Sequence, residues 1–187
     1  MQRIVFVCTA NRARSPLAEL MARSRLDGLP GGAGIAVSSA GTWTAGGQVM
    51  WPAAAEEAIR LGLDPSGFVS RPLSDAVVAG AAVVLTATRA LRDEVVAARP
   101  RLLRRAFTWR ELAWVLTNVT PDWAGLPVAE RPARLPDVVA SARGRFPALP
   151  GDDLDVRDPA GRPPEVMRSA VEQTSAAVAR IVEALCR

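Results

Sequence analysis

A chain of 187 residues, of which 49% are hydrophobic and 22% charged, is long and apolar enough to fold as one domain with a full core. Its 23 basic residues are all arginine, and lysine, histidine and tyrosine are absent, which excludes Ser-His-Asp and Cys-His catalysis, histidine-ligated zinc and lysine Schiff-base chemistry. The formal charge of +4 comes from arginines spread along the chain, so it indicates a small anionic ligand rather than nucleic acid, although a genomic preference for arginine codons explains the same bias.

The two cysteines, Cys8 and Cys186, predict neither a disulfide scaffold nor a zinc site. The apolar run over residues 1–7 is too short for a signal peptide, and no run of about 18 apolar residues marks a transmembrane helix. We therefore expect a cytoplasmic protein with no membrane partner, no metal and no other cofactor.

Strands and helices alternate along the predicted chain. Buried strands are predicted over residues 3–7, 35–38, 81–85 and 105–108. Apolar residues at helical spacing predict helices after a polar break at 8–14, then over 52–62, 89–99, from the fourth strand through residue 116, and over 165–186. Ser15 is the predicted N-cap of the first helix, with Pro16 at its first position.

Residues 118–150 contain six of the chain's prolines and predict an insertion with one helix over 128–145. The rest predicts a single α/β domain over residues 1–187: a three-layer sandwich with a central four-stranded parallel sheet flanked by helices. A phosphate-binding loop is expected after the first strand.

The segment CTANRARS, residues 8–15, joins the first strand to the first helix. Ligands of open α/β sheets bind at the carboxyl ends of strands, and a helix N-terminus attracts anions. Cys8, five residues and then Arg14 is the spacing of a loop whose amides surround a tetrahedral oxyanion while the arginine closes the ring. The predicted phosphate-binding residues are Thr9, Ala10, Asn11, Arg12, Ala13, Arg14 and Ser15.

Cys8 is the predicted nucleophile of this loop. The helix dipole, the Arg14 guanidinium and a hydrogen bond from Ser15 favour its thiolate, which attacks without help from a histidine. The alternative is a buried structural cysteine at the end of a core strand.

Residues 8–16, CTANRARSP, resemble the low-molecular-weight protein tyrosine phosphatase family, whose pattern after the first strand is C-x5-R-S-P. Asn11 matches the asparagine that this family holds in a left-handed conformation. Ser39 begins an S-A-G-T segment similar to the family's, which implies that it braces Asn11 by hydrogen bonding. The chain departs from the family at Ala10, where glycine is usual, and at Ala13, where a second cysteine is frequent.

The resemblance also implies a general acid, because the family carries it in a D-P motif before the last helix. Asp158 matches this position and would protonate the leaving group and then activate water. The same pair is also ordinary turn chemistry, and Asp155 stays open as an alternative, with Asp152 and Asp153 nearby. The family often has aromatic residues where Ala160 follows, so Trp43 and Ala160 are the expected pocket walls, although Trp43 equally fits an exposed or core position.

Three functions are compatible with these residues. The first is cysteine-dependent phosphomonoester hydrolysis of the protein tyrosine phosphatase type, acting on a phosphorylated protein or a small phosphomonoester through a cysteinyl-phosphate. The second is arsenate reduction with an external small thiol, since Cys186 is the only other cysteine available for a relay. The third is a non-catalytic regulator that binds phosphorylated ligands.

Overall fold

The computed structural model describes residues 2–147 and 149–187. Met1, in the predicted apolar start, and Ala148, in the predicted insertion, lie outside the described residues. The strands are β1 (Gln2–Cys8), β2 (Ile35–Gly41), β3 (Ala81–Thr86) and β4 (Ala106–Thr108). The helices are α1 (Arg14–Asp27), α2 (Pro52–Arg60), α3 (Asp75–Val78), α4 (Arg89–Ala98), α5 (Trp109–Asn118), α6 (Leu135–Ala142) and α7 (Pro164–Cys186).

The strands form one parallel sheet in the order β2-β1-β3-β4, as predicted. The chain leaves β1 for a neighbour on one side and later returns to its other side, so the strand order reverses at β1. Ligands of such sheets bind outside the carboxyl end of the strands at this point. Cys8, which pairs in register with Gly41 of β2, lies there.

Alternation along β1 divides the core between the two faces of the sheet. Ile4 and Phe6 face the larger core, which includes apolar residues of α1, α5 and α7. Val5 and Val7 face a smaller core that includes apolar residues of α3 and α4. Helices therefore cover both faces, and the predicted three-layer sandwich is confirmed. None of the helices in the described ranges is both long and apolar enough to cross a membrane.

The predicted helix over 128–145 is wrong in its extent. The segment Val128–Arg134 is a 3-10 helix containing Pro132, and α6 occupies only Leu135–Ala142. Proline lacks an N–H donor and clashes with the preceding turn, which breaks a continuous α-helix.

The segment before α6 packs on the C-terminal end of α7. The Trp123 indole Nε1 donates to the Ala184 carbonyl at 2.7 Å, and Arg131 Nη1 donates to the carbonyls of Leu185 at 2.8 Å and Arg187 at 3.0 Å. The last carbonyls of a helix have no partner within it, so these side chains satisfy groups that the helix leaves open.

Candidate active site

The loop between β1 and α1 is held by a buried asparagine. Asn11 has a φ of 53°, in the left-handed region that Asn tolerates better than most residues. Its Nδ2 donates to Ser15 Oγ at 3.0 Å and to Ser39 Oγ at 2.8 Å. Its Oδ1 accepts from the Arg71 amide at 2.9 Å. The contact between Asn11 and Ser39 is the one that the family resemblance implies.

The direction of these hydrogen bonds makes the Cys8 sulfur an acceptor. An amide nitrogen only donates, so each serine hydroxyl that accepts from Asn11 keeps its own hydrogen to donate onward. Ser15 Oγ donates to Cys8 Sγ at 3.0 Å, and Ser39 Oγ donates to Glu19 Oε2 at 2.5 Å. A chain of hydrogen bonds therefore connects Glu19 to Cys8 through buried side chains.

Ser15 is not the N-cap that the sequence predicted. Helix α1 begins at Arg14, and its N-cap Ala13 makes no side-chain capping bond. The Ser15 hydroxyl lies 3.0 Å from Cys8 Sγ and 3.4 Å from the Ala40 carbonyl instead, so Cys8 is its nearer acceptor. Glu19 was missed by the sequence analysis, although a signal exists: it forms an i,i+4 ion pair with Arg23 at 2.6 Å.

The Arg14 guanidinium joins the loop to the segment before α7. Arg14 is 5% exposed; its Nη1 donates to the Val156 carbonyl at 3.2 Å. Its Nη2 donates to Thr9 Oγ1 at 3.4 Å and to Asp158 Oδ2 at 2.6 Å. Two predicted motifs that lie 144 residues apart are thus in direct contact.

Asp155, the alternative acid, faces a different group. Its Oδ1 accepts from the Arg89 backbone amide at 2.7 Å at the start of α4, and its Oδ2 pairs with the Arg89 guanidinium at 3.4 Å. These contacts give Asp155 a role at the N-terminus of α4, whereas Asp158 contacts Arg14.

Two cavities flank the Asp158–Pro159 turn. Ala160 lines one of about 410 Å³ together with Asp158. Pro159 lines the other, of about 670 Å³, opposite Trp51, whose amide donates to the Arg12 carbonyl at 2.8 Å.

Trp43 is not among the described residues that line either cavity. Its amide donates to the Thr9 carbonyl at 2.9 Å, but its side chain is 81% exposed. Trp51, which the sequence analysis missed, supplies an aromatic face beside the loop. The Trp51-Pro52 pair at the start of α2 was the available signal.

Arg157 and Arg162 line the smaller cavity, and Arg12 lies beside Trp51 of the larger one. Arg12 Nε donates to the Val49 carbonyl at 3.0 Å, and its guanidinium carbon lies 6.0 Å from the centre of the Trp51 ring. Arg157 and Arg162 are exposed on the two sides of Asp158 in sequence. Within the described part of the chain, none of the three forms an ion pair with a carboxylate.

A loop built to surround an oxyanion at a strand end, with an arginine and a carboxylate above it, defines a phosphate-handling α/β enzyme. The sequence model of the family "Low molecular weight phosphotyrosine protein phosphatase" matches residues 3–112, and the chain belongs to this family. It is therefore a phosphatase, and its substrates are phosphorylated. The prediction of a cysteine-dependent phosphatase is confirmed at this level, and neither alternative function is favoured.

Comparison with solved structures confirms the fold. YwlE arginine phosphatase from Geobacillus stearothermophilus is 24% identical with a TM-score of 0.70, covering 98% of this chain and 92% of its own. A YwlE mutant from Bacillus subtilis is 21% identical with a TM-score of 0.71, covering 100% of both chains. The low molecular weight protein tyrosine phosphatase from T. tengcongensis is 24% identical with a TM-score of 0.70, covering 98% of this chain and 99% of its own. A sequence comparison with curated proteins gives no match.

Proposed function

We propose that this phosphatase hydrolyses phosphotyrosine in proteins, with Cys8 as nucleophile, Arg14 as phosphate clamp and Asp158 as general acid. The observation that supports this most strongly is the direct contact of Arg14, on the loop that carries Cys8, with Asp158. Ser15 Oγ lies 3.0 Å from Cys8 Sγ, and Arg14 Nη2 lies 2.6 Å from Asp158 Oδ2. Nucleophile, clamp and acid then act on one bound phosphate.

The first step transfers the phosphoryl group to sulfur. The loop amides and Arg14 hold the phosphate oxygens, and the Cys8 thiolate attacks phosphorus. The bond from phosphorus to the tyrosine oxygen breaks, and Asp158 in its protonated form donates the proton to that oxygen. The products are tyrosine and a cysteinyl-phosphate, with Asp158 left as a carboxylate.

The second step returns the enzyme to its starting state. Asp158 removes a proton from a water molecule, whose oxygen attacks phosphorus. The phosphorus–sulfur bond breaks, inorganic phosphate is released, and the Cys8 thiolate is restored. This step needs no second thiol, which distinguishes it from arsenate reduction.

The position of Cys186 argues further against a thiol relay. Asp158 precedes the N-terminus of α7, whereas Cys186 is the last residue of this 23-residue helix. A helix of that length is about 35 Å long at the standard rise per residue.

Phosphoarginine is the second candidate substrate, because three of the matched structures are named for YwlE, two of them as an arginine phosphatase. The uncompensated guanidinium groups of Arg12, Arg157 and Arg162 favour phosphotyrosine instead, because they repel the guanidinium group of phosphoarginine. The indole of Trp51 also gives a tyrosine ring an aromatic partner.

A direct comparison of substrates tests this proposal. Phosphate release is measured from one peptide carrying phosphotyrosine and from the same peptide carrying phosphoarginine. We expect a higher kcat/KM for phosphotyrosine, and no turnover of either peptide by Cys8→Ser. Turnover by Cys8→Ser near the wild-type rate would exclude Cys8 as the nucleophile. A preference for phosphoarginine would exclude phosphotyrosine as the preferred substrate.

The cytoplasm remains the proposed location. Ala13 occupies the site where the family often has a second, protective cysteine, so a nucleophilic Cys8 depends on a compartment that keeps thiols reduced. Fractionation of the cells that make the protein tests this.

A further inference from the structure

The cavity of about 410 Å³ beside Asp158 has an unusual charge balance. It is lined by Arg157, Asp158, Ala160, Arg162 and Val166. Asp158 is the single carboxylate among these residues, and its Oδ2 pairs with Arg14 at 2.6 Å. Among the described residues, neither Arg157 nor Arg162 has a carboxylate partner. The cavity therefore offers two guanidinium groups to any anion that enters it.

The turn that carries these arginines is closed by local hydrogen bonds. Asp158 Oδ1 accepts from the Ala160 amide at 3.1 Å, and the Arg162 amide donates to the Pro159 carbonyl at 3.1 Å. These bonds fold residues 158–162 into a compact turn. Both arginine side chains line the cavity beside Asp158.

Two arginines near this cavity are paired. Arg168 lies 3.0 Å from Glu165, and Arg89 lies 3.4 Å from Asp155. Arg157 and Arg162 differ from these two neighbours in having no carboxylate partner within the described part of the chain.

The larger cavity on the other side of Pro159 differs in charge. Its lining includes Glu56 and Glu57 as well as Arg162 and Arg168, so positive and negative side chains are balanced there. We therefore expect only the cavity on the side of Arg157 to distinguish acidic from neutral side chains of a substrate.

We infer that the smaller cavity is an anion subsite that receives an Asp or Glu side chain close to the phosphorylated residue, so that phosphotyrosines in acidic segments are the preferred substrates. This inference rests on the proposed function and specifies its substrate class. A carboxylate accepts two parallel hydrogen bonds from one guanidinium, and a second guanidinium at the same cavity adds to the attraction. Because both arginines are exposed, the preference weakens as salt rises.

Two phosphotyrosine peptides that differ only in their flanking residues test the subsite. One carries Glu and the other Gln on both sides of the phosphotyrosine, and each kcat/KM is divided by the same variant's value for p-nitrophenyl phosphate. We expect the acidic peptide to be favoured about tenfold at low ionic strength, a ratio typical of one or two charge-assisted contacts. The double variant Arg157→Gln/Arg162→Gln should bring this ratio close to one.

Arg104→Gln is the matched control, because it removes the same charge from an exposed arginine that lies before β4, at the opposite end of the sheet. It should leave the ratio between the two peptides unchanged. A wild-type ratio near one, or a ratio that survives in the double variant, would overturn the subsite.

Binding separates failure of the subsite from failure of the proposed function. Dissociation constants of both peptides are measured on Cys8→Ser by fluorescence anisotropy, with and without the two arginine substitutions. If wild type hydrolyses neither peptide, the proposed function fails, and the ratio of the two dissociation constants alone decides the subsite. Equal constants on Cys8→Ser would refute it, and a preference for Glu that the arginine substitutions abolish would support it.

Discussion

Ser39→Ala tests whether the buried hydrogen-bond chain supports the phosphate loop. The Ser39 hydroxyl accepts from Asn11 at 2.8 Å and donates to the Glu19 carboxylate at 2.5 Å. All three residues are buried, with Ser39 and Asn11 at 0% exposure and Glu19 at 2%. Water therefore does not replace the lost hydroxyl, and the substitution leaves a buried donor and a buried carboxylate oxygen with one partner fewer.

The expected decrease in the free energy of unfolding is the sum of the contributions of these two hydrogen bonds. A neutral buried hydrogen bond contributes about 1 kcal/mol and one to a charged group about 1.5–3 kcal/mol, which predicts a loss of about 3 kcal/mol in the free energy of unfolding. For a domain of this size that corresponds to a fall of about 6–12 °C in Tm.

Thermal unfolding followed by circular dichroism measures the change, with Ser38→Ala as the matched control. Ser38 is the preceding residue of β2, is only partly buried and takes part in none of these hydrogen bonds. Its substitution should change the free energy of unfolding by no more than about 0.5 kcal/mol. If the two variants have the same Tm, the hydrogen-bond chain does not stabilise the loop.

Further substitutions, in the site and at Cys186, have distinct expected outcomes. Arg14→Lys should lower kcat/KM about 100-fold or more, because a point charge does not replace a planar fork; a loss below tenfold would contradict the clamp. Asp158→Asn should lower kcat by about 10²–10⁴-fold on a phosphotyrosine peptide and less on p-nitrophenyl phosphate, whereas a larger effect of Asp155→Asn would transfer the acid role. Cys186→Ser should match wild-type activity, and a loss of turnover would revive the thiol relay. Burial raises the pKa of the Cys186 thiol, with the nearby Arg131 charge opposing the shift, so iodoacetamide should alkylate the remaining thiol of Cys8→Ser only at a higher pH than it does free cysteine.

Most of the fold was predictable because each buried strand is marked by its own short stretch of sequence. A strand buried on both faces is a continuous apolar run, as in β1 and β3, whose burial leaves little choice of residue type. The one-turn helix α3 was missed because its four residues are too few to show helical periodicity, although Ser74 caps it by accepting from the Val77 amide. The helix predicted over residues 128–145 was too long because Pro132 was not weighed against the apolar spacing.

For the site, too, residues on one loop were predictable from the sequence, and contacts between distant parts of the chain were not. Cys8 and Arg14 were predictable because one loop carries both. The Arg71 amide that binds Asn11 Oδ1 lies 60 residues away and is a backbone group, so almost any residue type at that position would supply it. The sequence has no signal for such a contact, and the same holds for the Val156 carbonyl that accepts from Arg14.

The contact between Arg14 and Asp158 has a consequence for phosphate binding that differs from its consequence for the rate. The phosphate oxygens and the Asp158 carboxylate compete for Arg14 Nη2, which lies 2.6 Å from Asp158 Oδ2. Asp158→Asn removes the competing charge while the Val156 carbonyl still orients the guanidinium. Because the Asp158 side chain is half exposed, solvent screens the pair, and the competitive inhibition constant for inorganic phosphate should fall by only about two- to fivefold. Asp155→Asn removes an equal charge without touching Arg14 and should leave that constant unchanged. A variant that loses turnover and also binds phosphate more weakly would mean that Asp158 helps to hold the phosphate, and the general-acid assignment would then lose its support.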